Sequence, residues 1–486
     1  MTGRYTDMQT APLVVDLDGT LIHTDMLHES ALQMSRTSPI DVLRIPLWLR
    51  QGKAVLKSEL ASRSSFDVAL LPYNEPLLAW LKEERAAGRS IVLCTASDRA
   101  IADAVAGHLG VFDEVLASDG DVNLAGDRKA EALNRRFGKG GFDYVGNSSA
   151  DLKVWRHARK AIVVNGRPGL ARKAAALCGV ECEFPPRQRG AAAWRKVLRM
   201  HQWLKNLLLF VPMMAAHRVT DVESWLTMLL AFVSFSLCAS TVYIANDLLD
   251  LESDRAHPRK RLRPFASGVV PAWQGVLAAP LLLAASLVLG AMVGGSFLRW
   301  LLFYFVLTCM YSWGLKRVML LDCITLAMLY TLRITAGAAA LGIPLSFWLL
   351  ALSVFLFLSL AYVKRYAELQ TQALAGKHKA HGRAYLTSDS PLLMTLGVAA
   401  GYASAVVLAL YLNSDAVQEL YVWPEAVWGT VPVLLFWVNW IWMKAHRGQM
   451  HDDPVVFAVK DRASRLAGLA FGASLLIGSS QWPWLA

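Results

Sequence analysis

The feature that most limits this chain is a series of long apolar runs beginning just after Trp203. Many approach the roughly 20 residues that a helix needs to cross a hydrocarbon core. Segments of that kind must satisfy their backbone polar groups internally, as helices do. About nine spans are predicted on this criterion, near 204–217, 225–247, 272–294, 297–314, 319–341, 346–363, 391–412, 424–444 and 463–483. The 486 residues are 55% hydrophobic with a mean hydropathy of +0.36. That excess is uneven, because the residues before about 200 have an ordinary soluble composition.

Formal net charge is +11. The cations fall in short loops between apolar runs, which is the pattern of membrane orientation rather than of nucleic-acid binding. If the first domain is cytoplasmic, the inner loops carry Arg255, Arg259, Lys260, Arg261 and Arg263, then Lys316 and Arg317. The third holds Lys364, Arg365, Lys377, Lys379 and Arg383, and the fourth Lys444, Arg447, Lys460, Arg462 and Arg465. The outer connections hold little beyond Arg218, with Arg299 just inside a span. A multi-pass protein of a bacterial-type inner membrane is therefore expected, its first domain in the cytoplasm, with no nucleic-acid partner. The first thirty residues, with Asp16, Asp18, Asp25 and Glu29, lack the apolar core of a signal peptide. Cys178 and Cys182 form a lone C-x-x-x-C, too few ligands for a zinc site. Self-association is left open.

Before the spans, short β-branched runs at Leu13–Val15, Ile91–Cys94, Tyr144–Val145 and Ala161–Val164 alternate with helix-like segments such as 75–87 and 129–137. That alternation predicts a parallel α/β sheet. Helical segments near 26–35, 39–49 and 54–63 suggest a cap inserted after the first strand. The domain is assigned to 1–182 with its cap at about 24–88. A linker and amphipathic segment follow at 183–200, where Pro185, Pro186, Arg187 and Arg189 break both periodicities. The membrane domain occupies 201–486.

Two constellations carry chemistry. Asp16-Leu17-Asp18-Gly19-Thr20 follows the first strand, so its two carboxylates point the same way and can share a hard cation. Thr95-Ala96 ends the second strand, Lys129 opens a helix, and Asn147 and Asp151 follow the third strand. All lie at strand ends or helix starts, where α/β proteins bind ligands. In the membrane part, Asn246, Asp250 and Asp254 recur at i, i+4 with Asp247 beside them. Carboxylates packed at a membrane edge repel one another, and a divalent cation bound to a phosphorylated substrate explains their company. Arg255, Lys260 and Arg263 follow directly and suit a diphosphate.

The first set resembles the haloacid dehalogenase-like (HAD) phosphohydrolases over roughly residues 10–170. The resemblance implies a Rossmannoid α/β fold with Asp16 as nucleophile and Asp18 as general acid/base. Thr95, Ala96 and Lys129 would bind phosphate, and Asp16, Asp18, Asn147 and Asp151 would hold Mg²⁺. Asn147 stands where that family usually has an acid, so a regulatory domain with reduced metal affinity stays open.

The second set resembles the UbiA superfamily of intramembrane transferases over about residues 190–486, implying an all-α bundle of nine membrane helices. It implies catalytic roles for Asp247 and Asp250, and a second Mg²⁺ on Asn246, Asp247, Asp250 and Asp254. Prenyltransferases of that superfamily usually carry a second acid pair after the sixth span; here Tyr362-Val363-Lys364-Arg365-Tyr366-Ala367-Glu368 stands there. Together with Lys205, Asn206, Tyr311, Lys316, Asp322, Arg333 and Gly382-Arg383-Ala384-Tyr385, this looks like the decaprenyl-phosphate phosphoribosyltransferase branch. That likeness implies phosphoribosyl pyrophosphate (PRPP) and a polyprenyl phosphate as substrates. Lys205, Asn206, Tyr311, Lys316, Arg333, Tyr362, Lys364, Arg365 and Glu368 would bind substrate, with Arg255, Lys260 and Arg263 beside the acids. The alternatives are a conventional prenyltransferase with a regulatory HAD domain, or a transporter or scaffold with an inert one.

Overall fold

A computed structural model describes residues 11–119, 122–186, 190–376, 378, 383–414, 417, 421–450 and 453–479. Lys377, Lys379, Gly382 and the linker stretch 187–189 lie outside the described residues. The chain divides into two compact units, one of 1–198 with 243–279 and one of 199–242 with 280–486.

In the first unit, six parallel strands run β1 Leu13–Val15, β2 Ile91–Asp98, β3 Glu114–Ser118, β4 Asp143–Gly146, β5 Lys160–Val164 and β6 Gly179–Phe184. Their order is β3-β2-β1-β4-β5-β6, with Val14 opposite Val92 on one side and Tyr144 on the other. Because side chains alternate across a strand, β1 feeds two cores. Leu13 and Val15 pack with Ile91, Leu93, Val145 and Ile162 on one face; Val14 packs with Val92, Tyr144 and Val163 on the other. Burial on both faces is why the central strands read as unbroken apolar runs.

The cap inserted after β1 has helices Met26–Thr37, Ile45–Gln51 and Lys53–Ser62, with a 3₁₀ helix at Pro39–Arg44. Its own small core joins Met34, Trp48, Leu56 and Leu60. Asp25 starts the first cap helix by accepting from the Leu27 amide, the usual device for satisfying an orphan helix donor. The strand β6 runs past residue 182 to Phe184, and a helix at Ala191–Val197 follows. A 3₁₀ helix then covers Met200–Phe210, after Arg199 at φ +50°.

The helical part of the chain is an integral, multi-pass bundle. Among the described residues, six helices are long and apolar enough to cross a membrane: Val222–Leu249, Ala272–Val293, Leu321–Ala340, Phe347–Leu374, Thr387–Leu412 and Pro424–His446. The three other expected spans differ. Residues 204–217 form the end of the 3₁₀ helix and a five-residue helix Val211–Ala215, so no single helix spans there. Residues 297–314 form the helix Gly295–Trp313, and 463–479 lie in Arg462–Ser479, which opens with Arg462 and Arg465. Within the second unit, Tyr330, Phe357, Tyr362, Leu434 and Trp442 share one core. Gly337 allows the closest backbone approach there: a Cβ on it would sit 2.0 Å from the Leu209 carbonyl oxygen.

Candidate active sites

At the end of β1 the chain turns sharply at Gly19, whose φ is +72°. A Cβ there would lie 2.1 Å from Asn147 Nδ2, so the glycine lets the two loops meet and sets Asn147 beside the Asp16–Asp18 turn. Asp16 Oδ1 accepts from Lys129 Nζ at 2.6 Å, and Thr20 Oγ1 donates to Oδ2 at 3.3 Å. Lys129 also reaches the Cys94 carbonyl and the Tyr144 hydroxyl, each at 3.1 Å. Burial works against the Lys129 charge, but Asp16 holds the ammonium above its ordinary range. Asp18 Oδ1 accepts from the Met26 amide at 2.9 Å and Oδ2 from Ser97 Oγ at 2.6 Å.

Burial, then the charges of Asp25 and Asp16, push Asp18 up to about 7. Asp16 is also raised, first by burial. Two buried neighbouring carboxylates relieve their repulsion with a proton or a hard cation, so this pair fits Mg²⁺. Asn147 lies next to the Gly19 turn that follows this pair, and its amide carries a carbonyl oxygen that a hard cation can use. Asp151 is committed differently: its Oδ2 accepts from the Asn147 and Ser148 amides and Ser148 Oγ, and its Oδ1 from Tyr144. It therefore shapes the loop bearing Asn147. Thr95 Oγ1 accepts from the Ser97 amide, and the Ala96 carbonyl accepts from Lys57 Nζ at 2.6 Å. Lys57 comes from the cap, and neither motif nor spacing flagged it. Burial depresses its amine, with Asp18 the largest opposing charge.

The first unit also contains the aspartate-rich segment. The helix ends at Leu249, and Asp250, at φ −97°, starts a short helix Leu251–Ala256. The break keeps the i, i+4 register, since the Asp250 amide bonds the Asn246 carbonyl and the Asp254 amide that of Asp250. Asp247 and Asp254 are buried; Asn246 and Asp250 are partly exposed. Arg263 Nη1 bridges Asp247 Oδ1 at 3.1 Å and Asp254 Oδ2 at 2.6 Å, and Lys260 lies 3.8 Å from Asp254 Oδ1. That Oδ1 is buried with no hydrogen-bond partner. Burial raises the Asp254 carboxyl against the pull of Arg263. An orphaned buried carboxylate oxygen, with Asn246, Asp247 and Asp250 within eight residues of it in the chain, is donor chemistry of the kind a divalent cation takes. Among the described residues, no three His, Cys, Asp or Glu side chains stand close enough together to hold a metal ion by themselves. Arg255 points elsewhere: its guanidinium makes a buried two-pronged pair with Glu29 of the cap, at 2.7 and 3.1 Å, and donates to the Ala266 carbonyl.

The second unit holds two polar clusters. In one, Asp453 Oδ2 accepts from Lys205 at 2.7 Å and Lys364 at 3.0 Å, and Oδ1 from Tyr330 at 2.8 Å. Burial favours protonation of Asp453, yet Lys364 and Lys205 hold it well below the ordinary carboxylate range. In the other, Asp322 meets Arg365 Nε and Arg383 Nη1, each at 2.8 Å, and the Tyr311 hydroxyl at 2.8 Å; Glu368 pairs with Arg365 and Arg383. Arg333 adjoins the first cluster, its guanidinium 5.6 Å from the centre of the Tyr330 ring, and it donates to Asn206 Oδ1 at 2.9 Å and Tyr304 at 3.0 Å. Tyr362 is buried in the apolar core, and Lys316 sits in the turn Leu315–Arg317. Asp453 went unflagged because it lies far along the chain from Lys205 and Lys364.

Residues 207–459 match the UbiA prenyltransferase family. The chain belongs to the UbiA prenyltransferase family. Residues 13–156 match the haloacid dehalogenase-like hydrolases, so a HAD domain is fused to the UbiA domain. The uncharacterized protein y4nM of Sinorhizobium fredii is 38% identical over 96% of this chain and 90% of its own length. The nodulation protein NoeC of Azorhizobium caulinodans is 36% identical, over 57% of this chain and 91% of NoeC. The decaprenyl-phosphate phosphoribosyltransferase of Mycolicibacterium smegmatis is 34% identical, over 57% of this chain and 89% of that enzyme. This UbiA chain is thus a membrane transferase with a hydrolase-type domain at its N-terminal side.

Proposed function

We propose that the membrane domain transfers 5-phosphoribose from PRPP to a polyprenyl phosphate of the decaprenyl type, and that the HAD domain then removes the 5-phosphate. The final product would be polyprenyl phosphoryl ribose, a lipid-linked pentose donor for cell-envelope arabinan and related glycans. The observation that carries this reading is the set Lys205, Lys364, Arg365 and Arg383, each held on a buried carboxylate. Lys364 and Arg365 stand where a prenyltransferase of the superfamily would carry acids, and fixed cations favour a phosphorylated partner. The similarity to phosphoribosyltransferases supports the same choice.

In the transfer, a lipid phosphate oxygen attacks the anomeric carbon and pyrophosphate leaves. Mg²⁺ held by Asn246, Asp247, Asp250 and Asp254 would neutralise the departing charge. Arg263 and Lys260 add positive charge beside those acids, as electrostatic stabilisation of a leaving group requires. In the hydrolysis, an Asp16 oxygen attacks phosphorus and Asp18 protonates the leaving ribose oxygen. Water then cleaves the aspartyl phosphate with Asp18 as base. Lys129 and Thr95 would hold the phosphoryl oxygens, and Mg²⁺ on Asp16, Asp18 and Asn147 would offset their charge. We place both sites on the cytoplasmic side, because the positive loops favour that orientation.

Competition between radiolabelled PRPP and a labelled prenyl diphosphate tests the choice. Label from PRPP entering lipid supports it. Label only from the prenyl diphosphate, with an aromatic acceptor, supports a conventional prenyltransferase instead.

A further inference from the structure

The cap carries a surface that neither reaction uses. Between residues 39 and 53 the chain reads Pro-Ile-Asp-Val-Leu-Arg-Ile-Pro-Leu-Trp-Leu-Arg-Gln-Gly-Lys. Trp48 is buried and anchors this segment to Leu56, Leu60 and Met34. Four other large apolar side chains of the segment are left bare: Ile40 is 78% exposed, Leu43 80%, Leu47 55% and Leu49 51%. Among the described residues from 11 to 198, the other exposed large apolar side chains are Val122 and Leu177. Four of six therefore fall within ten residues, and scattered exposure, which is normal, does not account for that concentration.

The charges around the patch are of one main sign. Arg44, Arg50 and Lys53 are exposed among the leucines, against the single acid Asp41, which pairs with Arg44 at 3.2 Å. Aliphatic side chains interleaved with cations are what an anionic lipid surface recognises, the chains entering the acyl boundary and the cations meeting headgroups. A second copy of this face would bring the same cations together and repel them. A short patch of this kind binds a bilayer weakly by itself, but this chain also carries membrane-spanning helices. Tethering raises the local concentration of bilayer around the cap, so a weak anchor suffices.

We propose that the exposed cap segment bearing Ile40, Leu43, Leu47 and Leu49, with Arg50 and Lys53, docks on an anionic bilayer surface. The cap also supplies Lys57 to the Ala96 carbonyl beside Asp18, so docking sets the approach to the phosphatase site from the lipid side. The proposal stands on exposure and charge, and does not depend on which phosphate the site removes.

The test uses the full chain in nanodiscs made of equal parts phosphatidylcholine and phosphatidylglycerol. A Leu47→Cys variant is labelled with an environment-sensitive dye, a Lys173→Cys variant serves as a solvent-facing control, and wild type gives the background from native cysteines. Docking predicts blue-shifted emission at position 47 that doxyl-labelled lipid quenches, with neither effect at position 173. Changing Arg50 and Lys53 to Gln should lower the docked-to-free ratio by about 30-fold, and added salt should lower it too. Unshifted, unquenched emission at position 47 would overturn the proposal. So would blue-shifted emission that lipid quenchers leave untouched, which would mark a protein partner. All of these readouts are independent of either activity, so failure here is distinct from failure of the proposed reactions.

Discussion

At the level of single residues, the two carboxylates after β1 are asymmetric. Asp16 is fixed by Lys129, while Asp18 faces the Met26 amide and Ser97. An Asp16→Asn variant should lose phosphate release from p-nitrophenyl phosphate by roughly a thousand-fold or more, because no nucleophile replaces it. Asn147→Asp adds a charge beside that pair and should tighten Mg²⁺ binding about tenfold, read by Mg²⁺ titration of the same activity. In the membrane domain, Asp453→Asn leaves Lys205 and Lys364 without their anion. Removing one partner of a buried ion pair costs about 3–5 kcal/mol, so the thermal midpoint in detergent should fall. The pH dependence has a definite sign. Asp453 is depressed in the folded state, so its stabilisation is complete above the ordinary carboxyl value of 3.8 and is lost as pH falls below it. Wild type and Asp453→Asn should therefore converge in midpoint under strongly acidic conditions and diverge above about pH 5.

At the level of elements, what the sequence revealed depended on burial. The strands β1, β2, β4 and β5 sit inside the sheet and announce themselves as apolar runs. The edge strands β3 and β6 do not: Glu114–Ser118 is only partly buried, and Gly179–Phe184 alternates exposed and half-buried residues. The cap was legible as helical segments, though the segment expected at 39–49 divides into a 3₁₀ helix Pro39–Arg44 and an α-helix Ile45–Gln51. The acid motifs at Asp16 and Asn246 were legible because their members lie a few residues apart. Lys57, Asp453 and the pairing of Glu29 with Arg255 were not, because each joins segments distant in sequence. That last pair also moves Arg255 from the diphosphate role its position suggested to a structural tie. Glu29→Ala should destabilise the first compact unit by about 3–5 kcal/mol, measured as earlier loss of hydrogen-exchange protection around 26–37 and 251–256. The exchanged pair Glu29→Arg with Arg255→Glu should recover part of that loss.

At the level of the whole molecule, a HAD hydrolase domain and a UbiA transferase domain share one chain, and the chemistry suggests why. On the proposed function, transfer from PRPP would leave a phosphomonoester on a lipid-bound ribose, and a phosphatase on the same chain would meet that product at high effective concentration. Labelled PRPP, a polyprenyl phosphate and Mg²⁺ should be incubated with wild type, Asp16→Asn and Asp250→Ala, and the lipid products separated. The account predicts a dephosphorylated ribosyl lipid from wild type, the phosphorylated form from Asp16→Asn, and neither from folded Asp250→Ala. Folded wild type that puts no label into lipid would contradict it.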